Sequence, residues 1–206
     1  TIDGVDISKL GLHKLRSTLC IIPQDPVLFA GSIRQNLDPF QEKSDDVLWD
    51  ALRRAGLIKE SELPEVKEQH KEKSDPENMH MHKFHLEQYV EDDGTNFSLG
   101  ERQLLALARA LVRQSQILIL DEATSSVDYE TDSKIQHTIA TEFSNCTILC
   151  IAHRLKTILT YDKIVVLEAG QIKELGKPLE LYNNKDSTFR SMCDQSHLVE
   201  KDFELP

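Results

Sequence analysis

The chain is 206 residues long with 39% hydrophobic residues, enough for one α/β domain with a sizeable core. Its formal charge of −11 argues against binding to nucleic-acid backbones, and no apolar run approaches the ~20 residues needed to cross a bilayer. Four cysteines, Cys20, Cys146, Cys150 and Cys193, show neither CxxC nor zinc spacing and read as reduced, buried thiols of a cytosolic domain. The chain starts at Thr1 without methionine or signal peptide, so it reads as a piece of something longer.

Residues 2–7 predict a strand and turn around Asp3-Gly4, followed by a short helix over 12–16. A strand over 18–22 delivers Pro23-Gln24 at its end; taken alone, such a glutamine is an ordinary surface residue. Helices are expected over 32–37 and 44–55. Ser44 would cap the second, Val47, Leu48, Ala51, Leu52 and Ala55 would form its buried stripe, and Trp49 would pack at its edge. Residues 59–93 are dense in Glu, Lys, Asp and His, with Pro64 and Pro76 and few aliphatics, and read as an inserted mobile loop rather than a core element. His80, His82 and His85 within it match no standard ligand spacing, and no Cys or carboxylate completes a tetrahedron, so they read as solvated loop residues.

Ser98 followed three residues later by Glu101 is a capping box, starting a helix through Leu104, Leu105, Leu107, Ala108 and Leu111. The unpaired N–H groups of such a start form an anion site. Residues 117–120 are apolar with β-branched members, as in a buried parallel strand, and end in Asp121 and Glu122. In open α/β sheets, ligands gather at the carboxyl ends of strands, so the two features together point to nucleotide chemistry. The Asp-Glu pair by itself also fits a core strand ending in a solvated acidic turn. A helix over 129–143 with Ile135 and Ile139 inward leads to a strand over 147–152 that ends at His153, on its own a structural residue. Residues 163–168 and 171–174 form a closing hairpin around Ala169-Gly170, followed by a helix near 179–183; the tail, 189–206, carries no signal.

Nothing supplies the phosphate-binding pattern GxxxxGK[ST]. Residues 170–177 have five residues between their glycines and Pro178 where a hydroxyl is required, so that match is rejected.

The runs IIPQDPVLFAGSIRQNLDPF, FSLGERQ, ILILDEATSSVD and CIAHRL together resemble the Q-loop region, signature, Walker B with D-loop, and switch histidine of ATP-binding-cassette (ABC) ATPases. From residue 1 to about 182 the chain is similar to the second nucleotide-binding domain of C-subfamily exporters, the multidrug-resistance-associated group. The resemblance implies an α/β, P-loop NTPase-like ABC ATPase domain that lacks its Walker A segment, with a parallel core sheet and a helical signature subdomain. Residues 24–115 would be the Q-loop and helical part with the insert at 59–93, residues 116–182 the Walker B, D-loop and switch core, and residues 183–206 a tail.

It further implies ATP and Mg²⁺ as ligands. Carried over by position, Gln24 would reach the Mg²⁺ and the attacking water, Asp121 would hold the Mg²⁺, Glu122 would be the general base, Asp128 the D-loop residue, and His153 the switch at the γ-phosphate. Ser98 and Gly100 would donate to the γ-phosphate of a partner ATPase domain docked head to tail, and Val27, Leu28 and Phe29 would meet the coupling helix of the transmembrane domains. The signature departs from LSGGQ at Phe97, Leu99 and Glu101. Glu101, within the nucleotide-contacting turn, would repel that phosphate if it pointed there, which makes binding without turnover an alternative at that site. The function implied is ATP hydrolysis driving efflux at the cytosolic face of a plasma or vacuolar membrane. The non-enzymatic alternative is a truncated module that supplies only its signature and D-loop; a soluble ABC protein acting on ribosomes or DNA is disfavoured by the acidic balance.

Overall fold

The computed structural model describes residues 1–71, 81–124, 127–152 and 154–203, apart from the side chains of 70 and 71. It divides into two compact units, Thr1–Leu149 and Cys150–Pro206.

The first unit opens with a tight turn in which Ile2 and Val5 bridge each other around Asp3 and Gly4, both at positive φ. Helix α1 (Leu12–Thr18) runs directly into strand β1 (Leu19–Ile22). A loop then reaches the short strand β2 (Gly31–Ser32) and helix α2 (Ile33–Leu37), which starts at a capping box between Ser32 and Gln35. Helix α3 (Asp45–Arg54) follows Ser44, which occupies the cap position without a side-chain hydrogen bond. Helix α4 (Leu63–Lys71), strand β3 (Tyr89–Val90), helix α5 (Leu99–Arg113), strand β4 (Ile117–Asp121), helix α6 (Tyr129–Glu142) and strand β5 (Thr147–Ile151) complete the order.

The organising element is α5. Its capping box fixes the start, its body is almost free of β-branched residues, and Gln114 in the left-handed region ends it. Leu104, Leu105, Leu107, Ala108 and Leu111 are buried, and the helix packs against α2, α3, α6 and β1. Strands β1, β4 and β5 form one sheet in the order β1-β4-β5, with β1 and β4 parallel. Helix α5 thus packs on both the helical elements and the β1 edge of the sheet.

Two expectations about α3 are corrected. Val47 is 38% exposed, whereas Trp49, expected at the edge, is 2% exposed and sits with its ring edge-on to His85 at 5.4 Å. The larger ring takes the inner seat because the area it removes from water exceeds that of valine.

The segment 59–93 is likewise more built-in than its composition suggests. Helix α4 buries Val66, and Leu86 and Val90 are fully buried. The backbone N–H groups of Ile33 and Arg34 donate to the carbonyls of Gln88 and Leu86, at 3.0 and 2.8 Å, and β3 pairs antiparallel with β2. A few aliphatic residues suffice to anchor the segment, because the charged residues described there stay exposed or half-buried. Residues 72–80, including His80, lie outside the described residues.

In the second unit, helix α7 (Leu155–Ile158) precedes the hairpin of β6 (Ile164–Glu168) and β7 (Gln171–Gly176). Ala169 and Gly170 at its tip both have positive φ, the geometry that matches hairpin twist. Helices α8 (Pro178–Asn183) and α9 (Thr188–Gln195) pack on it around Leu159, Ile164, Tyr182, Phe189 and Cys193. Residues after 183 thus contribute Phe189 and Cys193 to a core. Glu174 of β7 starts α9 from outside, accepting from Ser187 Oγ at 2.8 Å and from the N–H groups of Thr188 and Phe189 at 2.6 and 3.1 Å. Desolvation works to raise its carboxyl, but these bonds hold it below the usual range. No helix among the described residues is long and apolar enough to cross a membrane.

Candidate functional site

Strands β1 and β4 run parallel in the register Leu19↔Ile117 to Ile22↔Leu120, so the chain leaves both strands at the same rim. Pro23-Gln24 follows one and Asp121-Glu122 ends the other, which brings Gln24, Asp121 and Glu122 to neighbouring strand ends. The strand interiors are sealed by Cys20, Ile22, Leu118 and Leu120, while Asp121 is exposed. Glu122 has φ of +48°, the left-handed region that non-glycine residues occupy at a cost. Buried Ala123 and Val127 hold the chain on the far side of that bend.

One exposed carboxylate, Asp121, fits Mg²⁺, which takes few protein ligands and keeps positions for water and phosphate. Ser125, Ser126 and His153 lie outside the described residues.

The loop after β1 is clamped by side chains that the sequence did not single out. Gln103 of α5 is buried, and its Nε2 donates to the carbonyls of Gln24 at 2.6 Å and Pro23 at 3.3 Å. Two turns on, Arg109 Nε donates to the Asn36 carbonyl at 2.8 Å and its guanidinium lies 5.9 Å from the Phe29 ring centroid. Buried Asn36 brackets Phe29, accepting from its N–H at 2.9 Å and donating to its carbonyl at 2.7 Å. Polar residues on the inner face of an otherwise apolar helix, Gln103 and Arg109, were the available signal. The clamp divides the apolar triplet: Leu28 is buried, whereas Val27 and Phe29 are exposed, Phe29 by 64%.

At the start of α5 the capping box is reciprocal. Ser98 Oγ accepts from the Glu101 N–H at 3.2 Å, and Glu101 Oε2 accepts from the Ser98 N–H at 2.8 Å. The Ser98 N–H is thus engaged, which leaves its hydroxyl as the group able to donate to a phosphate. The carboxylate of Glu101 folds back onto its own cap and meets Lys83 Nζ at 2.6 and 2.8 Å, so the repulsion expected of an outward carboxylate is offset. Burial works to raise this carboxyl, yet Lys83 and Ser98 keep it below the ordinary value.

Asp128 caps α6, accepting from the Thr131 N–H at 3.0 Å and the Thr131 hydroxyl at 2.7 Å, and these bonds lower its carboxyl. Thr131 in turn presses on α5, since a Cβ added at Gly100 would lie 2.6 Å from its Cγ2. Gly100 therefore serves close approach of two helices. Gly100→Ala is expected to destabilise by about 1–3 kcal/mol through overpacking, read as a lower midpoint of thermal inactivation in the intact protein; adding Thr131→Ser, which removes the clashing methyl, should recover most of the loss.

His85 is not the solvated loop residue its sequence context suggests, since it is buried against Trp49, and His82 Nε2 lies 3.7 Å from Glu62. His82 and His85 accept at Nδ1 from the N–H groups of Phe84 and Glu87, at 3.1 and 3.2 Å. Among the described residues no three His, Cys, Asp or Glu residues are grouped to hold a metal ion.

A family model described as ABC transporter matches residues 1–125. The chain is 66% identical over 205 residues to the oligomycin resistance ATP-dependent permease of Saccharomyces cerevisiae, covering 98% of this chain and 14% of that protein. It is 50% identical over 183 residues to ATP-binding cassette sub-family C member 2 of Mus musculus, covering 89% of this chain and 11% of that one. Among solved structures, a bacterial Atm1-family ABC exporter with ATP bound matches 97% of this chain and 32% of its own, at 31% identity and a TM-score of 0.76. The chain thus spans about one-seventh of the permease's length, and its α/β fold with a parallel pair at the core is that of an ABC exporter's ATPase domain. By motif, fold and family match alike, this chain belongs to the ABC transporter family, of which it carries nucleotide-binding-domain sequence.

Proposed function

We propose that, in the intact protein, this chain contributes metal, base and signature residues to MgATP binding and to the hydrolysis that drives export through a membrane, while by itself, without the phosphate loop, it is inactive. The observation that carries the reading is the shared rim, where Gln24 follows β1 while Asp121 and Glu122 end the adjacent parallel β4. Bound there, Mg²⁺ would neutralise phosphate charge. Asp121 is its carboxylate ligand, and Gln24 orients the attacking water. Glu122, fixed at the bend after β4, takes the proton from that water, and His153 is assigned to the terminal phosphate from its sequence motif. At the start of α5, the Ser98 hydroxyl and the first-turn N–H of Gly100 would meet a phosphate carried by a partner ATPase domain docked head to tail, with Asp128 contributing beside them. The acidic residue at 101 does not oppose this, because Lys83 and the Ser98 N–H engage it.

Val27 and Phe29, exposed at the end of a clamped loop, are the surface offered to the transmembrane domains. Docked there, the domain would lie on the cytosolic face of the membrane. Asp121→Asn preserves shape and removes the charge. In membranes containing the intact protein, the Mg²⁺ concentration needed for half-maximal ATP turnover should rise by at least the roughly 10- to 100-fold that outer-shell changes alone produce. An unchanged Mg²⁺ dependence would overturn the assignment.

A further inference from the structure

Lys83 belongs to no motif, yet the fold carries it to the start of α5. Its Nζ lies 2.6 and 2.8 Å from the two oxygens of Glu101. It also lies 5.6 and 5.9 Å from the ring centroids of Phe97 and Phe84, which stack at 5.9 Å with 27° between their planes. The stacked rings support the lysine from one side, within cation–π range. The nearest other cation on the helix, Arg102, is engaged elsewhere: its Nη1 donates to the Asp93 carbonyl at 3.3 Å, and its Nη2 is 3.5 Å from Asp25. Among the described residues, Lys83 is therefore the cation that meets the Glu101 charge.

The consequence concerns an anion brought to the same turn. A helix start attracts phosphate through its unpaired N–H groups, but a full negative charge within the first turn works against this attraction. The aliphatic stem of a lysine alone would not remove that charge.

Resting on the reading of this turn as a phosphate-facing signature, we propose that Lys83 is a positioning residue that makes a glutamate-bearing signature usable. It cancels the charge of Glu101 and holds the carboxylate folded onto the Ser98 N–H, so that the first-turn donors meet a partner-borne triphosphate without repulsion. The segment 59–93 thereby contributes to nucleotide affinity through a single side chain.

The test is a double-mutant cycle on the intact protein in membranes, with KM for MgATP and kcat measured separately. Lys83→Met keeps the stem against the rings and removes the charge. It should raise KM about 3- to 10-fold near 50 mM salt, with a smaller effect at high salt, as expected of a partly exposed charge pair. Lys83→Arg should stay within twofold of the parent. In a Glu101→Gln background, Lys83→Met should change KM less than twofold, because no charge remains to be cancelled. An equal loss in both backgrounds would mean that Lys83 merely packs, and no loss in either would leave it idle; each result overturns the inference. A parent protein that shows no MgATP-dependent turnover overturns the proposed function and this inference with it, whereas turnover with a flat cycle overturns this inference alone.

Discussion

Glu122→Gln should stop ATP turnover in the intact protein, by about 10²- to 10⁴-fold in kcat, while nucleotide stays bound. The amide has the size of the carboxylate but cannot accept a proton from water. The substitution is informative because of the backbone at this position. With φ at +48°, residue 122 sits where a change of side-chain shape could alter the bend. An isosteric replacement leaves that strain as it is, so a loss of rate reports chemistry and not collapse of the loop. Phosphate release gives the rate and retained labelled nucleotide gives the binding. Turnover within twofold of the parent would remove Glu122 from the role of base.

Trp49→Ala should produce the largest loss of stability, about 3–5 kcal/mol, as for other fully buried aromatic residues cut to alanine. Trp49 closes α3 against the part of the insert that carries His85 and Leu86, with the His85 ring 5.4 Å away. Its loss opens a cavity where two non-contiguous segments meet. Since whole domains are stable by only about 5–15 kcal/mol, the variant should accumulate poorly and lose ATPase activity at a markedly lower temperature. Trp49→Phe, which refills most of the space, should fall between the two. Equal thermal inactivation of parent and Trp49→Ala would show that this interior does not depend on the ring.

The features legible in the sequence are those written locally. Ser98 and Glu101 are three residues apart, and their reciprocal bonds are as the capping pattern predicts. Residues 117–120 end in two carboxylates, and the strand ends where they begin. What could not be read depends on partners far along the chain. Glu101 looked hostile to phosphate because Lys83, 18 residues earlier, sits in a stretch with no periodicity to place it. Gln103 looked like one polar residue among leucines until the carbonyls of Pro23 and Gln24, about 80 residues away, supplied its acceptors. Helix α9 starts at a local cap, Ser187, but its first N–H groups are also held by Glu174, on a strand that precedes it by more than a dozen residues, and that part could not be read locally. Trp49 and Val47 exchanged places because helical phase alone does not say which of two neighbouring apolar residues fills the larger hollow.

Helix α5 carries one further consequence. Its 15 residues make a rod of about 22 Å, with no glycine or proline after Gly100 at which it could hinge. One end is the turn that would sense a neighbour's nucleotide; farther along, Gln103 and Arg109 grip the loop whose exposed tip is Phe29. A tilt imposed at the first must therefore appear at the second as displacement, the way a pivoted beam delivers motion without bending. The stiffness of a single helix then sets how faithfully an event at the phosphate is relayed to whatever rests against Val27 and Phe29.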